Sequence, residues 1–379
     1  MSKIFKNQVR FNSTRIILTG IAVLAVVLAL FLIQHSKKED TIKIGAIVSL
    51  SGPAWYHKDA SDGMLLAVGE INFWGGVNGR KIELIIEDNK TDPEVGKKAF
   101  NKIEATHHPV LYISTTSDVS MALAPLAGKN EVVLVGLIAV TPKLKEQNEW
   151  VFKYFTSPEI EIIPILTILK ELNAKSLGIL YMNDEYGTSV FELLKNKFEK
   201  IGGKVQSKNF GKGCSDFKEH ISKLKYMEAI FTVGFASHLK NVFQQLREED
   251  FNGLILGPAT ATWPPVRKMQ YTNGVYVAAP MTYNQNNIFA KETKEKYEKK
   301  YNKPFNHYAA NGYDFIKILA GLLEDKEISR GNIKSLLEGG FIYSGLFGDI
   351  DLKPGEHSIN FPLFPAQIID GEVKYMYWR

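Results

Sequence analysis

The segment that decides the fold spans residues 41 to 88 and reads TIKIGAIVSLSGPAWYHKDASDGMLLAVGEINFWGGVNGRKIELIIED. It begins with an alternating-to-apolar run, Ile42–Leu50, which predicts a strand that ends at Ser-Gly-Pro. A polar and aromatic loop follows, then an amphipathic helix, a glycine-rich turn and a second apolar strand, Lys81–Glu87. Open α/β sheets bind their ligands outside the carboxyl ends of the strands. We therefore expect a binding site in the loop after Leu50.

Strand and helix patterns alternate along most of the remaining chain, which predicts mostly parallel sheets covered by helices. The clearest helix covers Glu185–Ile201, a second long helix covers Ala309–Leu323, and Asp370-Gly371 predicts a hairpin turn near the end. The ~340 residues after position 40 exceed the usual size of one domain, so two lobes are expected. Buried strands are predicted at Val110–Ile113, Val132–Leu137, Ser176–Met182, Ala229–Gly234, Gly253–Gly257 and Gly274–Ala278.

The amino terminus has the pattern of a membrane anchor. Ile16–Ile33 is apolar except for Thr19 and Gly20, and a helix of this length spans about 27 Å, close to the thickness of a bilayer core. Basic residues precede the run, so the positive-inside rule places residues 1–15 in the cytoplasm and the domain after the linker 34–40 outside it. The alternative is a cleaved signal peptide, although no small-x-small cleavage site follows the run.

The composition and the motifs argue against several classes of function. With 45% hydrophobic and 23% charged residues, a net charge of +5 and scattered lysines, the chain has no nucleic-acid-binding pattern. Its single cysteine, Cys214, forms no disulfide within the chain. The sequence contains no metal-spaced His/Cys set, no phosphate-binding loop and no Gly-x-Ser-x-Gly motif. We therefore expect a protein that is not an enzyme and that uses no cofactor, no metal and no nucleic-acid partner.

Four motifs in a characteristic order point to a known family. They are Ser-Gly-Pro after the first strand, LYMNDEYG at 180–187, LILGP at 254–258 and GLFGDIDLKP at 345–354. Because of the order and spacing of these motifs, the chain from Thr41 to about Tyr377 resembles the leucine/isoleucine/valine-binding branch of the type I periplasmic binding proteins. The resemblance implies a two-lobed α/β fold, each lobe a mostly parallel sheet flanked by helices, with a cleft that closes on a small molecule. It also implies delivery of that molecule to an ABC permease.

The same resemblance implies that the chain crosses between the lobes three times, near Phe155, Ala279 and Tyr343. Each lobe is therefore expected to be discontinuous in sequence. The expected division assigns residues 41–155 and 280–342 to lobe 1, and residues 156–279 and 343–379 to lobe 2.

A set of ligand-binding residues also follows from the resemblance. Ser117, in the loop after the third strand, matches a serine that binds the ligand carboxylate, and hydroxyl and N–H groups at a helix amino terminus are suited to anions. The alternative role of Ser117 is to cap the next helix, and that of Tyr186 is to pack as an ordinary aromatic residue. The candidate positions are Trp55, Tyr56, Thr116, Ser117, Ala139, Thr141, Tyr186, Phe235, Ala259, Thr260 and Tyr283.

One departure from the family pattern concerns the charge of the ligand. Amino-acid binders of this branch place an acidic residue after the Gly-Pro that stands here at 257–258, and this acid pairs with the ammonium group of the ligand. In this chain Ala259 and Thr260 follow instead. A buried ammonium without a partner is costly, so the sequence predicts a different ligand unless Asp184 or Glu185 supplies the missing charge.

Two further departures make the expected cleft more apolar. A threonine expected after the fourth strand is Val140, with Thr141 beside it, and a tyrosine of the second lobe is Phe235. We therefore expect the ligand to be an aliphatic or aromatic carboxylate or a neutral small molecule.

The expected function is that of a membrane-anchored, extracytoplasmic solute-binding protein. It captures a small molecule, either an amino acid or a related carboxylate or neutral compound, by closure of the cleft and delivers it to an ABC permease. The alternative function is that of a ligand-sensing subunit. Because the ~15 cytoplasmic residues are too few for a signalling domain, such a subunit would present its ligand to a partner membrane receptor.

Overall fold

The computed structural model describes residues 41–377, which form two α/β lobes. All neighbouring strands in the sheet of the first lobe are parallel. Most of these strands are buried, which is typical of a sheet covered by helices on both faces. The strands are β1 (Ile42–Val48), β2 (Ile82–Asp88), β3 (Leu111–Thr115), β4 (Val133–Ile138), β5 (Val151–Tyr154) and β13 (Ser358–Ile359), in the order β13-β5-β4-β3-β1-β2.

The sheet of the second lobe is parallel at its centre and antiparallel at one edge. The predicted hairpin is confirmed at that edge, where Asp370 and Gly371 have φ angles of 51° and 76°. The strands are β6 (Ser176–Met182), β7 (Lys204–Phe210), β8 (Ala229–Val233), β9 (Leu254–Gly257), β10 (Tyr276–Pro280), β14 (Leu363–Ile369) and β15 (Glu372–Tyr375), in the order β15-β14-β10-β9-β8-β6-β7. A separate hairpin is formed by β11 (Phe341–Ser344) and β12 (Asp349–Leu352).

Helices connect most of the strands. Those of the first lobe are α1 (Lys58–Phe73), α2 (Pro93–His107), α3 (Ser117–Lys129), α9 (Ile288–Tyr301), α10 (His307–Leu323) and α11 (Arg330–Glu338). Those of the second lobe are α4 (Pro158–Glu171), α5 (Glu185–Lys200), α6 (Lys218–Leu224), α7 (Ala236–Glu248) and α8 (Pro264–Arg267).

Two glycines allow α1 and α10 to pack backbone against backbone. A Cβ atom on Gly63 would lie 2.0 Å from the carbonyl oxygen of Ala309, and one on Gly312 would lie 2.1 Å from that of Ala60. Only glycine permits this approach. The close contact holds the first turn of α10 beside the loop that follows β1, and both contribute to the site described below.

The chain passes between the lobes at residues 155–157, 281–287 and 360–362. The first two crossings lie near their expected positions, whereas the third lies after Tyr343, the position expected from the sequence. The reason is β13, a strand of two residues that pairs with β5 and keeps the chain in the first lobe as far as Ile359. Two hydrogen bonds tie the first and third crossings together: Thr156 Oγ1 donates to the carbonyl of Phe361 at 2.9 Å, and Ser157 N–H donates to Asn360 Oδ1 at 3.0 Å.

The expected tail, anchor and linker at residues 1–15, 16–33 and 34–40 lie outside the described residues. Within residues 41–377, no helix combines the length and the apolar character that a membrane span requires.

Candidate functional site

A cavity of about 420 Å³ lies between the two lobes. Its walls are formed by loops at the carboxyl ends of β1, β3, β4 and β5 in the first lobe and of β6, β8 and β9 in the second. The first turns of α4 and α10, the hairpin of β11 and β12 and the third chain crossing also line the cavity. Open α/β sheets bind ligands at this end of their strands, so the position agrees with the expectation drawn from the opening segment.

The wall from the first lobe contains an anion-binding arrangement. Thr116 precedes α3 with φ of 67°, an unusual value for a residue with a Cβ atom. Its Oγ1 is buried and has no hydrogen-bond partner among the described residues. The Oγ of Ser117 accepts hydrogen bonds from the N–H groups of Val140 and Thr141 at 3.1 and 3.3 Å, so its own hydrogen is available to a ligand. Two hydroxyls at a helix amino terminus suit a carboxylate.

An aromatic cluster forms a second part of the wall. Tyr56 is buried, and its ring lies 5.1 Å from that of Trp263 and 5.5 Å from that of Tyr308. The hydroxyl of Tyr308 is hydrogen-bonded to Thr260 Oγ1 across 3.1 Å, which joins α10 of the first lobe to the loop after β9 of the second. Rings of this kind provide large apolar surfaces for the body of a small molecule.

Two carboxyl groups line the wall of the second lobe. Glu161, in the first turn of α4, is only 3% exposed and accepts a hydrogen bond from the Tyr186 hydroxyl at 3.2 Å. Burial raises the pKa of Glu161 to about 7, an effect partly offset by the N–H of Ala259 and by the Tyr186 hydroxyl. Burial likewise raises the pKa of Asp184 to about 7, although its carboxyl accepts a hydrogen bond from Gly187 N–H at 2.8 Å.

The basic residues that line the cavity are two histidines without charge at neutral pH. Burial lowers the pKa of His57 and of His307 to about 3, and the proximity of His307 adds to the shift of His57. No lysine or arginine lines the cavity in the described part of the chain. The site therefore combines neutral donors for an anion with acidic groups that have no basic counterpart in the cavity.

Seven of the eleven candidate residues line the cavity: Tyr56, Thr116, Ser117, Tyr186, Phe235, Ala259 and Thr260. The structure also addresses the alternative roles proposed for two of them. The Ser117 hydroxyl contacts the loop after β4, and no side chain caps α3 through Thr116. Tyr186 is buried, and it also presents its hydroxyl to a cavity-lining carboxyl group.

The other four candidates do not line the cavity, and each has another environment. Trp55 is half exposed and packs edge-on against Trp263, with 5.1 Å between ring centroids. Ala139 and Thr141 are buried on either side of Val140, which lines the cavity instead. Tyr283 packs against Phe305 with 6.3 Å between centroids.

The sequence analysis missed several lining residues, of which Glu161 is the most consequential. It stands with Glu159 in the mostly apolar run PEIEIIPILTIL, and an acidic residue within such a run was the available signal. Of the two acidic residues that were considered as sources of charge, Asp184 lines the cavity and Glu185 does not. The carboxylate of Glu185 is paired with the ammonium group of Lys143 at 3.3 Å. His307, Tyr308 and Asn311 were also missed, since they come from a helix distant in sequence.

Comparisons with known proteins agree with this architecture. A family model described as periplasmic binding protein matches residues 41–372. The leucine-, isoleucine-, valine-, threonine-, and alanine-binding protein of Pseudomonas aeruginosa is 23% identical over 231 residues, which are 59% of this chain and 62% of that protein. This chain thus spans about three fifths of that relative.

Solved structures show the same fold. The substrate binding protein LivJ of a branched-chain amino acid transporter from Streptococcus pneumoniae, in complex with isoleucine, has a TM-score of 0.79 at 22% identity, covering 88% of this chain and 98% of its own. A solute binding protein of an ABC transporter from Rhodopseudomonas palustris BisB5, in complex with 3,4-dihydroxy benzoic acid, has a TM-score of 0.79 at 19% sequence identity. The match covers 90% of this chain and 97% of that protein's chain. These proteins are binding proteins rather than enzymes, as expected for this chain. The match over residues 41–372 shows that the chain belongs to the periplasmic binding protein family.

Proposed function

We propose that this protein is a solute-binding protein that captures a small molecule bearing a carboxylate outside the cytoplasm and passes it to an ABC permease. The observation that carries the proposal is the cavity of about 420 Å³ lined by loops of both lobes. Its volume lies in the range of small-molecule sites. The lobes are joined by three short chain segments, which suits a hinge motion that closes the walls around a ligand.

The carboxylate of the ligand binds at the amino terminus of α3 in this proposal. Thr116 and Ser117 contribute hydroxyl hydrogens that no group in the described residues accepts, and the helix dipole adds a favourable field. The apolar body of the ligand packs against the rings of Tyr56 and Tyr308. No bond is made or broken, so binding and release depend only on the opening and closing of the cleft.

An anchor and a permease complete the proposal. The apolar run Ile16–Ile33 with basic residues before it supports an anchor that holds the domain at the outer face of the cell membrane. The permease is supported by the structural neighbours from Streptococcus pneumoniae and Rhodopseudomonas palustris, which belong to transporters.

A thermal-shift screen tests the binding function. Full-length protein purified in detergent is heated with leucine, isoleucine, valine or phenylalanine, and with the corresponding carboxylates that lack the amino group. A ligand at 100 times its Kd adds about 2.7 kcal/mol to the free energy of unfolding, which raises Tm by a few degrees. We expect a shift with at least one compound of this panel, and the absence of any shift would contradict the proposal.

Membrane fractionation tests the anchor independently. We expect the full-length chain, detected by tags at both ends, to stay with the membranes after an alkaline wash. Recovery of the intact chain in the soluble fraction would show that residues 16–33 do not anchor it.

A further inference from the structure

Glu161 occupies an unusual position for a carboxyl group. Its helix, α4, packs against β10 and β14 of the second lobe, and the side chain is 3% exposed, yet it lines the cavity. A charge is expensive to bury unless it has a partner of opposite sign. Among residues 41–377, no lysine, arginine or histidine forms an ion pair with Glu161.

The contacts of Glu161 leave part of its hydrogen-bonding capacity unused. The Tyr186 hydroxyl donates to Oε1 at 3.2 Å, and the N–H of Ala259 points to the same carboxyl. A carboxylate has about four acceptor positions, so further donors can bind from the cavity side. Because Ala259 is the residue that stands where an acid was expected, the carboxyl of Glu161 lies beside the position at which the sequence shows a charge to be missing.

The other titratable groups around the cavity do not neutralise Glu161. Tyr186 and Tyr308 face it with their hydroxyls, and His57 and His307 on the opposite lobe are neutral because burial lowers their pKa. The second acid, Asp184, caps α5 through Gly187 N–H and lies near Lys212, which forms an ion pair with Asp118. Asp349 and Asp351 line the cavity from the hairpin of β11 and β12, but both are exposed to solvent. Glu161 is therefore the buried acidic group of the cavity for which the described residues supply no cation.

We propose that Glu161 binds the ammonium group of the ligand, so that the cleft takes amino acids with an acid supplied by α4 instead of by the loop after β9. This inference rests on the proposed function and names its substrate class. The ligand carboxylate contacts Thr116 and Ser117 of the first lobe, and its ammonium group contacts Glu161 of the second. Phenol rings beside Glu161 favour the same cationic group. The expectation of a ligand without an amino group, drawn from Ala259, is replaced by this one.

Calorimetric titration of full-length protein in detergent tests the inference with two probes. L-leucine carries an ammonium group, and 4-methylpentanoate is the same molecule without it. The variant Glu161→Gln keeps the shape of the side chain and removes its charge, and Glu159→Gln is the matched control on the same helix, outside the cavity. Loss of one partner of a buried charge pair weakens binding at least about 30-fold, so we expect a loss of this size for leucine with Glu161→Gln. Affinity for 4-methylpentanoate should not fall, and Glu159→Gln should leave the preference for leucine intact.

The pH dependence of wild-type affinity provides a second test that needs no variant. Protonation of Glu161, whose pKa is about 7, removes the attraction for an ammonium group. Leucine should therefore bind about 10-fold more weakly at pH 6 than at pH 8, whereas 4-methylpentanoate should not.

An equal loss of affinity for both probes with Glu161→Gln, or unchanged binding of leucine in either test, would overturn the role of Glu161 while the binding function stands. Failure of wild-type protein to bind either probe, or any compound of the thermal-shift panel, would overturn both proposals.

Discussion

The two lobes present different chemistry to the same cavity. The first lobe contributes hydroxyl groups and the amino terminus of α3, with Thr116 and Ser117 as its central residues. The second lobe contributes the carboxyl groups of Glu161 and Asp184 together with the phenol of Tyr186. The first wall is suited to an anion and the second to a cation. A ligand that carries both charges therefore interacts with both lobes, which is how a binding event can favour the closed cleft over the open one.

The two walls also differ in how they are built. The anion site consists of two adjacent residues at the junction of β3 and α3: Thr116 lies between the two elements, and Ser117 is the first residue of α3. The acidic wall brings Glu161 from α4, Tyr186 from α5 and Ala259 from the loop after β9 into contact. A local site depends on the conformation of one loop, whereas the second site depends on the packing of three separate elements.

The largest expected effect concerns the stability of the protein without ligand. The pKa of Glu161 is raised from 4.5 to about 7, so the folded state resists ionisation of this group and loses stability as pH rises from about 4.5 to about 7. Glu161→Gln removes this penalty. We expect its free energy of unfolding to exceed that of the wild type by about 3 kcal/mol at pH 8, and to match it at pH 4. Urea denaturation at both pH values measures the difference, and equal wild-type and variant values at pH 8 would show that Glu161 carries no such penalty.

A smaller effect is expected from the packing that supports the first wall. Gly63→Ala places a Cβ atom 2.0 Å from the carbonyl oxygen of Ala309 and forces α1 away from α10. Overpacking of this kind destabilises by about 1–3 kcal/mol. The matched control is Gly321→Ala on α10, where a Cβ atom meets nothing within 4 Å and the free energy of unfolding should rise by up to about 1 kcal/mol. Thermal denaturation compares the two variants, and equal changes in Tm would contradict the close contact between α1 and α10.

The smallest effect is expected at the anion site itself. Ser117→Ala removes one of the two hydroxyl donors to the ligand carboxylate, and the loss of one hydrogen bond to a charged group costs about 1.5 kcal/mol. It should weaken leucine and 4-methylpentanoate alike, because both carry the carboxylate, and in this it differs from Glu161→Gln. Calorimetry with both probes measures the effect. A loss confined to leucine would place Ser117 on the ammonium side and reverse the assignment of the walls.

The sequence revealed those features that depend on neighbouring residues. The first strand, expected at Ile42–Leu50, ends two residues earlier at Val48, and the turn at Asp370-Gly371 lies where it was predicted. Ser117, expected in the loop after the third strand, is the first residue of the helix that follows that strand. Helical and strand periodicity report burial on one face of an element, which neighbouring side chains suffice to show.

Features that depend on distant packing were not accessible in the same way. The carboxyl of Glu161 reaches the loop containing Ala259 only because α4 packs across the second sheet, and no spacing in the sequence encodes that contact. The strand Ser358–Ile359 has two residues and is defined by its pairing with β5, so the third crossing was expected too early, near Tyr343. Whether a candidate such as Ala139 or Val140 faces the cavity likewise depends on the path of a loop.

The measurement that tests the two-wall account most directly is calorimetric titration of wild-type full-length protein at pH 8 with three related molecules. L-leucine carries both charged groups, 4-methylpentanoate lacks the ammonium group, and 3-methylbutylamine lacks the carboxylate. The account predicts that leucine binds at least about 30-fold more tightly than either of the others, because each of them leaves one wall without its partner. Binding of 4-methylpentanoate as tight as that of leucine would contradict the account.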